Sequence, residues 1–278
     1  MSLNDITIII VSYKSTKKVK KCIDSIAGKS KIIVIENSND FSHKENIEKE
    51  YSNVECIIAN DNLGYGKANN LGLKQVRTKY ALILNPDTRI ESDTLEKFLE
   101  AANKIKNFAI IGPQQNEDYK EKKYIQETYE VENLKGYALF LNMIKFKDTN
   151  FFDENFFLYF EEIDLCRNLR NKKEKIYISP QIKIFHDGAQ SVDDSLNYEV
   201  ELTRNWHWMW STFYYYKKHY NYLYALTVVS PKLFSALFKI ILFVILFNKK
   251  RRQIYYQRLS GLINSILGKK SWYRPTLD

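Results

Sequence analysis

Short apolar runs alternate with segments of helical periodicity over the first two thirds of the chain. The runs are rich in β-branched residues and are too short for typical helices, which predicts strands. The predicted strands are Ile6–Ser12, Lys31–Ile35, Val54–Ala59, Tyr80–Leu84, Phe108–Gly112, Leu134–Asn142, Lys175–Ile178 and Ile182–His186. Strands that alternate with helices indicate βαβ units, right-handed crossovers and an α/β fold with a mostly parallel sheet flanked by helices.

Helices are predicted where apolar residues fall on one face of a 3.6-residue period. They span about 17–27, 42–51 and 93–105, a short stretch before Tyr80, and a segment that opens with EEIDLCRNLR at 161–170. Gly28 is predicted to end the first helix. The segment from about Glu117 to Glu132 is charged and weakly patterned, and we interpret it as an excursion over the surface.

Polar residues follow four of the predicted strands at the point where each strand ends. In chain order they are Ser12 and Tyr13, then Glu36 and Asn37, then Asn60, Asn62 and Gly64, and finally Asn85 and Asp87. The carboxyl ends of parallel strands meet at one edge of a sheet, where open α/β sheets bind ligands. One bound molecule can therefore contact all four loops.

Asp87 lies in the stretch YALILNPDTR, where an apolar run stops at Pro86. Proline cannot donate to a sheet ladder, so the strand should end there and present Asp87 at the carboxyl edge. A carboxylate at this edge can hold a divalent cation, and the cation can neutralise a diphosphate. The alternative interpretation is a type I turn, with Pro at its second position and Asp after it.

The character of the chain changes after about residue 193. Tyr198–Tyr224 is long, aromatic and helix-periodic, and Leu233–Phe247 contains only two polar residues. We therefore divide the chain into an α/β domain over 1–192 and a helical, aromatic and basic extension over 193–278.

Leu233–Phe247 is shorter than the ~20 apolar residues that a membrane-spanning helix needs. A start at Ala225 gives enough length, with two lysines inside, and four basic residues follow at 249–252. Amphipathic helices with basic flanks and aromatic girdles lie in the membrane interface and favour anionic lipid. We therefore predict attachment to a membrane surface, with a buried core helix or a homo-oligomer contact as the alternative.

The composition favours anionic partners without identifying them. Lys and Arg number 42 against 33 Asp and Glu, a formal net charge of +9, which suits phosphates, acidic lipids or nucleic acid. The sequence contains no nucleic-acid recognition motif, so we expect no nucleic-acid partner. The three cysteines, Cys22, Cys56 and Cys166, are far apart and predict reduced, buried thiols. The first apolar run is too short for a signal peptide, which predicts a cytosolic location.

Seven segments resemble, in their order along the chain, the inverting glycosyltransferases of family 2. They are VSYKS, ENSND, NDNLGYGKANNLG, LNPDT, KGYALFL, FFLYFEEIDLCRNL and HDGAQS, within about residues 5–192. They look most like the rhamnosyltransferase-like branch, which builds bacterial surface polysaccharides from sugar nucleotides. The resemblance implies a GT-A type fold and transfer of a sugar, with rhamnose as one candidate. The donor would be a nucleoside-diphosphate sugar and the acceptor a glycan or a lipid-linked hydroxyl, at the inner face of the cytoplasmic membrane.

The resemblance also implies donor-binding roles for particular residues. Ser12, Tyr13, Glu36 and Asn37 would line the base and ribose pocket, and family members usually have Asp where Glu36 stands. Asn62, Gly64 and Asn69 would shape the donor loop, and Gly136 would lie near the donor sugar. Lys67 would meet a phosphate, with a solvated lysine as the alternative.

The metal site implied by the resemblance contains few protein ligands. Asp87 matches the metal-binding carboxylate of an Asp-x-Asp motif, and Asn85 replaces the first Asp. Mg²⁺ or Mn²⁺ would then need the donor phosphates as further ligands. His186 would approach the metal or the diphosphate, although a histidine near a strand end is often structural.

Glu162 is the general base that the resemblance implies. Inversion by a single displacement needs a group that removes the proton of the acceptor hydroxyl. An apolar wall of Phe157, Tyr159 and Phe160 would raise the pKa of a carboxyl group beside it. Glu161 and Asp164 would orient Glu162 or contact the acceptor. The alternative is that these acids favour a helix N-terminus, with Asp164 paired to Arg167 or Asn168.

Two other functions fit parts of the sequence. A nucleotidyltransferase that makes sugar nucleotides shares a similar sheet, but it normally has a glycine-rich phosphate loop after the first strand. VSYKSTKK contains no glycine. A non-catalytic membrane-bound scaffold would bind the donor without turnover. The presence of both Asp87 and the acidic group at 161–164 argues against it. The donor nucleotide stays open among dTDP-, UDP- and GDP-sugars.

Overall fold

The computed structural model describes residues 2–26, 30–114, 127–147, 151–187 and 197–274. It separates into two compact units. Met1–Asp153 and Glu162–Asp193 form the α/β unit, and Glu154–Glu161 and Asp194–Asp278 form the helical unit. The short segment Glu154–Glu161 groups with the helical unit, whereas the sequence analysis placed it in the first domain.

The α/β unit consists of strands that alternate with helices over most of its length. Its strands are β1 (Ile6–Ser12), β2 (Lys31–Glu36), β3 (Val54–Ile58), β4 (Tyr80–Leu84), β5 (Thr88–Ile90), β6 (Ile110–Pro113), β7 (Tyr129–Glu130), β8 (Ala138–Asn142), β9 (Ile176–Ser179) and β10 (Ile184–His186). Its helices are α1 (Thr16–Ile26), α2 (Phe41–Glu50), α3 (Tyr65–Leu73), α4 (Thr94–Ile105) and α5 (Glu161–Asn171), with short 3₁₀ helices at Leu3–Asp5 and Met143–Phe146.

The main sheet has eight strands in the order β3-β2-β1-β4-β8-β6-β9-β7. The strands β3, β2, β1 and β4 are mutually parallel, and β8 joins them antiparallel to both β4 and β6. The chain order reverses between β1 and β4, which makes their carboxyl ends the place where a ligand crevice forms. The predicted fold class, a mostly parallel sheet flanked by helices, is confirmed.

Both faces of the central strands are buried. In β1 the side chains of Ile6, Ile8 and Ile10 join the core under α1, α2 and α4. Ile9, on the opposite face, joins the core under α3 and α5. A strand that is covered on both sides needs apolar residues at every position, which explains the uninterrupted runs that predicted these strands. Cys22, Cys56 and Cys166 are buried free thiols, as predicted.

Several boundaries differ from the sequence predictions. Strand β8 begins at Ala138 instead of Leu134. The three-residue strand β5 was missed, because it begins two residues after Pro86 and, in the described part of the chain, pairs with the distant β10. The predicted excursion over Glu117–Glu132 contains β7 near its end, and most of it, like Gly28, lies outside the described residues.

The helical unit contains α6 (Asn197–His219), α7 (Tyr222–Ile245) and α8 (Lys249–Ile266). The helix-periodic stretch Tyr198–Tyr224 is divided between two helices, because α6 ends at His219 and α7 begins at Tyr222. Asn221 caps the next helix, where its side-chain oxygen accepts a hydrogen bond from the backbone N–H of Tyr224 at 2.8 Å, and N-cap residues have non-helical backbone. Among the described residues, α7 alone is long and apolar enough to cross a membrane by length and composition.

We expect Gly261→Ala to destabilise the helical unit. A Cβ at this position of α8 would lie 2.1 Å from the backbone carbonyl oxygen of Trp206 in α6, so one helix has to move. Overpacking of this kind costs about 1–3 kcal/mol of unfolding free energy, which outweighs the gain of about 1 kcal/mol in helix propensity. Urea unfolding followed by tryptophan fluorescence measures the loss. Gln257→Ala in the same helix is the control, and equal midpoints for the two variants would contradict the expectation.

Candidate active site

The loop after β4 forms a tight turn at the carboxyl edge of the sheet. The backbone carbonyl of Asn85 accepts hydrogen bonds from the Thr88 N–H at 3.1 Å and from the Thr88 hydroxyl at 2.7 Å. The Asn85 N–H in turn donates to the carbonyl of Tyr137 at 2.9 Å. The turn and the edge position, which the sequence offered as alternatives, are therefore present together, with Asp87 held inside the turn.

A two-stranded ribbon places His186 beside Asp87. Strands β5 and β10 pair antiparallel, with His186 opposite Thr88. The Nε2 atom of His186 lies 3.5 Å from Oδ1 of Asp87, whose side chain is 2% exposed. The backbone carbonyl of Asp87 accepts a hydrogen bond from the Asp187 N–H at 3.1 Å. The imidazole ring of His186 also stacks on Tyr137, with ring centroids 4.5 Å apart.

Asp87 and His186 form a ligand pair of a kind that suits a divalent cation. The Oδ1 atom of Asp87 is buried and has no hydrogen-bond partner in the described part of the chain, and such an atom is costly unless a ligand satisfies it. A carboxylate oxygen and an imidazole nitrogen both ligate Mn²⁺, and the oxygen suits Mg²⁺. Over the described ranges, no group of three or more His, Cys, Asp or Glu side chains is arranged to hold a metal. Further ligands would have to come from a bound molecule or from water.

Glu162 lies close to the backbone immediately before β8. A Cβ at Gly136 would lie 3.5 Å from Cβ of Glu162 and 3.2 Å from the hydroxyl oxygen of Tyr65. The Tyr65 hydroxyl donates a hydrogen bond to the Gly136 carbonyl. Tyr65 opens α3 and Glu162 stands in the first turn of α5, and these two helices cover the same face of the sheet.

Asp87 and Glu162 are therefore connected through two consecutive residues, Gly136 and Tyr137. Gly136 adjoins Glu162, and Tyr137 stacks on His186, which contacts Asp87. Every member of this series belongs to the α/β unit. Asp87 and Glu162 therefore border the same edge of the α/β unit.

The environment of Glu162 changes its acidity. Burial raises the pKa of the Glu162 carboxyl above that of a solvated glutamate, and hydrogen bonds from the backbone N–H groups of Glu162 and Ile163 partly oppose this shift. A raised pKa makes a carboxylate a stronger base once it is ionised. The residues expected to form the apolar wall, Phe157, Tyr159 and Phe160, belong to the helical unit.

The other two acids of α5 differ from Glu162 in position. Residues three apart on a helix share a face, so Glu161 and Asp164 lie on one face and Glu162 points elsewhere. Asp164 is fully buried and accepts a hydrogen bond from the Asn168 side-chain amide at 2.9 Å. Glu161 is also buried. The Asp164–Asn168 pairing is the structural alternative that the sequence analysis left open for Asp164.

The loops after β1 and β2 are tied together, and Glu36 turns inward. The backbone N–H of Asn37 donates to the Ser12 carbonyl at 2.8 Å, while Tyr13 is half-buried. Glu36 is 1% exposed, accepts a hydrogen bond from the Ser38 N–H at 2.7 Å, and lies 3.8 Å from Nε2 of the equally buried His43. Its carboxylate therefore supports the loop after β2 instead of facing the open edge.

Asn37 connects that loop to the donor-loop motif. Its side-chain amide donates to Oδ1 of Asn62 at 3.0 Å, and its own oxygen accepts from the Leu63 N–H at 2.9 Å. Asn62 also accepts a hydrogen bond from the Gly64 N–H at 3.2 Å. Gly64 has φ 77°, a conformation that glycine adopts without strain, and it precedes α3 directly. The motif thus forms a rigid bend at the edge of the sheet.

Two further residues of the motif occupy contrasting positions on α3. Asn69 is fully buried and donates to the Tyr65 carbonyl at 3.0 Å, while its side-chain oxygen is buried without a hydrogen-bond partner in the described residues. Lys67 is exposed. Asn69 therefore holds the start of α3 in place, and Lys67 can reach a ligand outside it.

Comparison with known proteins identifies the family. The family model of glycosyl transferase family 2 matches residues 7–166, which is more than half of the chain. The chain belongs to glycosyltransferase family 2.

Named relatives and solved structures agree with this glycosyltransferase assignment. The low-salt glycan biosynthesis hexosyltransferase Agl10 of Haloferax volcanii is 25% identical over 73% of this chain and 70% of its own length. The rhamnosyltransferase WbbL of Escherichia coli is 24% identical over 64% of this chain and 82% of its own. The mannosyltransferase PcManGT from Pyrobaculum calidifontis, solved with GDP-Man and Mn²⁺, shares the fold, with a TM-score of 0.61 at 11% identity. That likeness covers 96% of this chain and 88% of that one.

Two residues of this glycosyltransferase site were not singled out from the sequence. Tyr65 lies within the motif NDNLGYGKANNLG and Tyr137 within KGYALFL. Both motifs were recognised, but neither tyrosine was assigned a role. An aromatic residue beside a glycine in each motif was the available signal. Their contacts depend on pairings between distant segments, which a single sequence does not display.

We expect Gly136→Ala to lower sugar transfer by about tenfold, since misplacing groups at a reacting centre is costly in rate. The added methyl group meets the Tyr65 hydroxyl at 3.2 Å, so Tyr65 must shift by a few tenths of an ångström, and it comes into van der Waals contact with Cβ of Glu162 at 3.5 Å. Steady-state kinetics and a thermal unfolding scan together measure the effect.

Gly72→Ala is the matched control for this substitution. Its Cβ would lie 2.8 Å from Cγ2 of Ile9 in the core, so it should lower the melting temperature with little effect on turnover of the folded protein. The expectation fails if Gly136→Ala retains full activity, or if it loses activity only in proportion to stability.

Proposed function

We propose that this enzyme transfers a hexose, with inversion, from a nucleoside-diphosphate donor to a hydroxyl of a glycan or lipid-linked acceptor. The observation that supports the proposal is the placement of Asp87 and Glu162 on either side of the Gly136-Tyr137 segment. The Asp87 carboxylate is then available to the diphosphate end of the donor, and the Glu162 carboxylate is available to the acceptor. A single displacement needs groups at both ends of the reacting bond.

Glu162 is the proposed general base. Its carboxylate would accept the proton of the acceptor hydroxyl while that oxygen attacks C1 of the sugar from the face opposite the diphosphate. The bond from C1 to the diphosphate oxygen breaks as the new bond forms, so the anomeric configuration inverts. The raised pKa of Glu162 suits this role, because a base is most effective when its pKa is near the working pH.

Asp87 and His186 are the proposed protein ligands of a divalent cation, Mg²⁺ or Mn²⁺. When bound, the cation would neutralise charge that develops on the leaving diphosphate. The structure of the Pyrobaculum mannosyltransferase contains GDP-Man and Mn²⁺, which supports a divalent metal in the proposed reaction. The scarcity of protein ligands predicts weak metal binding unless the donor is present.

The donor would occupy the edge formed by the first four parallel strands. Ser12, Tyr13 and Asn37 are the proposed base and ribose contacts, with Glu36 acting through the loop it supports. Asn62, Gly64 and Asn69 would hold the donor loop, Lys67 and Asn85 would approach the phosphates, and Gly136 would pass close to the sugar. Within α5, Glu161 and Asp164 would position Glu162 through the helix.

The relatives suggest the setting of the reaction. One is named for low-salt glycan biosynthesis and another as a rhamnosyltransferase. We therefore propose a role in building a surface glycan from the cytoplasmic side of the membrane, with a rhamnose donor as the first candidate. Incubation of the enzyme with dTDP-, UDP- and GDP-sugars and with washed membranes as the acceptor source would identify the donor. A non-catalytic scaffold would bind a donor without transferring it.

We expect Asp87→Asn to weaken metal activation. The substitution keeps the size of the side chain but removes its charge, so the half-activating Mn²⁺ concentration should rise and transfer should fall by at least about tenfold. Metal titration of transfer at a fixed donor concentration measures both. The control is Asp93→Asn, an exposed carboxylate paired with Lys97 at 2.9 Å, which should leave the titration unchanged. Metal-independent transfer by the wild type would remove the role given to Asp87.

We expect Glu162→Gln to lower kcat by about 10²- to 10⁴-fold, the usual contribution of a general base, without weakening donor binding. Burial raises the pKa of Glu162, so the rise of kcat/KM with pH in the wild type should occur above about 4.3, the value for a solvated glutamate. The variant should lack this rise. Glu100→Gln on the exposed face of α4 serves as the control, and undiminished transfer by Glu162→Gln would overturn the base assignment.

A further inference from the structure

The helix α7 exposes an apolar stripe along its C-terminal half. Phe234, Phe238, Ile241 and Ile245 are spaced at helical intervals and are 61–68% exposed, so they share one face of the helix. Leu237 and Val244 lie beside them and are also exposed. Soluble proteins seldom leave so continuous an apolar surface uncovered, and such a surface marks an interaction site.

The opposite face of α7 carries its polar and basic side chains toward α8. Ala236 and Phe243 are buried on this face, and Phe243 stacks on Tyr255 of α8 with ring centroids 5.7 Å apart. Lys232, Ser235 and Lys239 fall at the same helical spacing. Helix α7 therefore has an apolar exposed face opposite a polar, basic face, on which Lys239 is half-buried and Lys232 and Ser235 are exposed.

A basic cavity of about 250 Å³ lies between these two helices. Lys232, Ser235 and Lys239 line it from α7, and Tyr255 and Arg258 line it from α8. The ammonium group of Lys239 donates to the Tyr255 hydroxyl at 3.1 Å and lies 4.8 Å from the centre of that ring, while the Arg258 guanidinium lies 5.6 Å from the same ring. Among the residues that the structure describes, no acidic side chain lines the cavity.

The charges of this cavity come from Lys232, Lys239 and Arg258. In the part of the chain that the structure describes, neither Lys239 nor Arg258 forms an ion pair with a carboxylate. Cations held together around one aromatic ring repel each other, so an anion placed between them is favoured. A phosphate group, with several acceptor oxygens, matches the ammonium, guanidinium and hydroxyl donors.

The net charge of the chain points to the same region. Residues 1–193 contain 29 Lys and Arg and 29 Asp and Glu, whereas residues 194–278 contain 13 basic and 4 acidic residues. The whole formal excess of +9 therefore lies in the C-terminal segment. Lys249, Lys250, Arg251 and Arg252 are all exposed and follow directly after the apolar stripe.

These features favour a lipid surface over a second copy of the chain as the occupant of the stripe. A symmetric dimer would bring two strongly basic segments together, and like charges across an interface are unfavourable. An anionic bilayer offers an apolar interior to the stripe and negatively charged headgroups to the cations. The exposed Tyr220, Tyr222 and Tyr224 at the start of α7 provide the aromatic residues that prefer the headgroup region.

We propose that the cavity between α7 and α8 binds the phosphate group of an anionic membrane lipid while the apolar stripe of α7 lies in the bilayer interface. Lys239 and Arg258 are the proposed phosphate ligands, with Lys232 at the rim of the cavity. The proposal concerns the helical unit alone and does not depend on the chemistry at Glu162.

Sedimentation of the full chain with lipid vesicles tests the proposal. We expect the protein to bind phosphatidylcholine vesicles that contain phosphatidylglycerol about tenfold or more tightly than vesicles of phosphatidylcholine alone. The double variant Lys239→Gln/Arg258→Gln should lose about tenfold of its binding to the anionic vesicles, because each cation near such a surface contributes substantially. Binding to the neutral vesicles should not change.

Two further variants separate the contributions. Lys104→Gln/Lys172→Gln removes the same charge from exposed positions of the α/β unit and should bind anionic vesicles within about twofold of the wild type, since neither residue belongs to the unit that carries the cavity. Phe238→Ser/Ile241→Ser should lose binding to both kinds of vesicle. Circular dichroism confirms that each variant is folded. If the cavity variant binds like the Lys104/Lys172 control, the phosphate site is refuted.

Competition and oligomer measurements distinguish the other occupants. Inorganic phosphate, added at constant ionic strength, should not displace the protein from anionic vesicles. Displacement would show that the cavity takes free phosphate and would overturn the lipid assignment. A dimer detected by light scattering, dissociated by Phe238→Ser/Ile241→Ser without loss of vesicle binding, would instead assign the stripe to a second copy.

Discussion

The antiparallel pairing of β4 with β8 is the constraint on which the site depends. Leu84 lies opposite Ala138 in this pair, so the residues that follow β4 come next to the residues that precede β8. The Asn85–Tyr137 hydrogen bond continues the ladder by one step beyond the strands. A shift of the register by one residue would turn every side chain of the strand to the other face. The stacking of Tyr137 on His186 beside Asp87, and the approach of Gly136 to Glu162, would then be lost.

The sequence predicted much of this arrangement, because buried parallel strands carry an unmistakable pattern. Tyr80–Leu84 was assigned its observed bounds, and Asp87 was placed at the edge by the proline before it. The ribbon of β5 and β10 was not predicted as a pair. Three residues have too little pattern to indicate a strand, and the ribbon is defined only by pairing across about a hundred positions. The stacking of His186 on Tyr137 depends on the same long-range contact.

Residue type alone also did not distinguish the positions of the acidic residues from one another. Glu161, Glu162 and Asp164 are indistinguishable as a string of carboxylates, and the helix places Glu162 on a different face from the other two. Glu36 shows a similar limit. Its side chain is one methylene longer than aspartate, and the carboxylate is buried against Ser38 and His43. The direction in which each carboxylate points determines what it can contact, and residue type alone does not show that direction.

The C-terminal helices show why an apolar run was hard to interpret before its partners were known. The run at 233–247 suggested a core helix, an oligomer contact or a membrane contact, and these differ in which face is covered. In the structure Ala236 and Phe243 are covered, whereas Phe234, Phe238 and Ile241 are exposed. A core helix would bury the apolar face first, because that burial stabilises the fold most. The exposed stripe therefore favours an apolar partner, and the exposed basic residues at 249–252 that follow α7 make an anionic surface the partner with complementary charge.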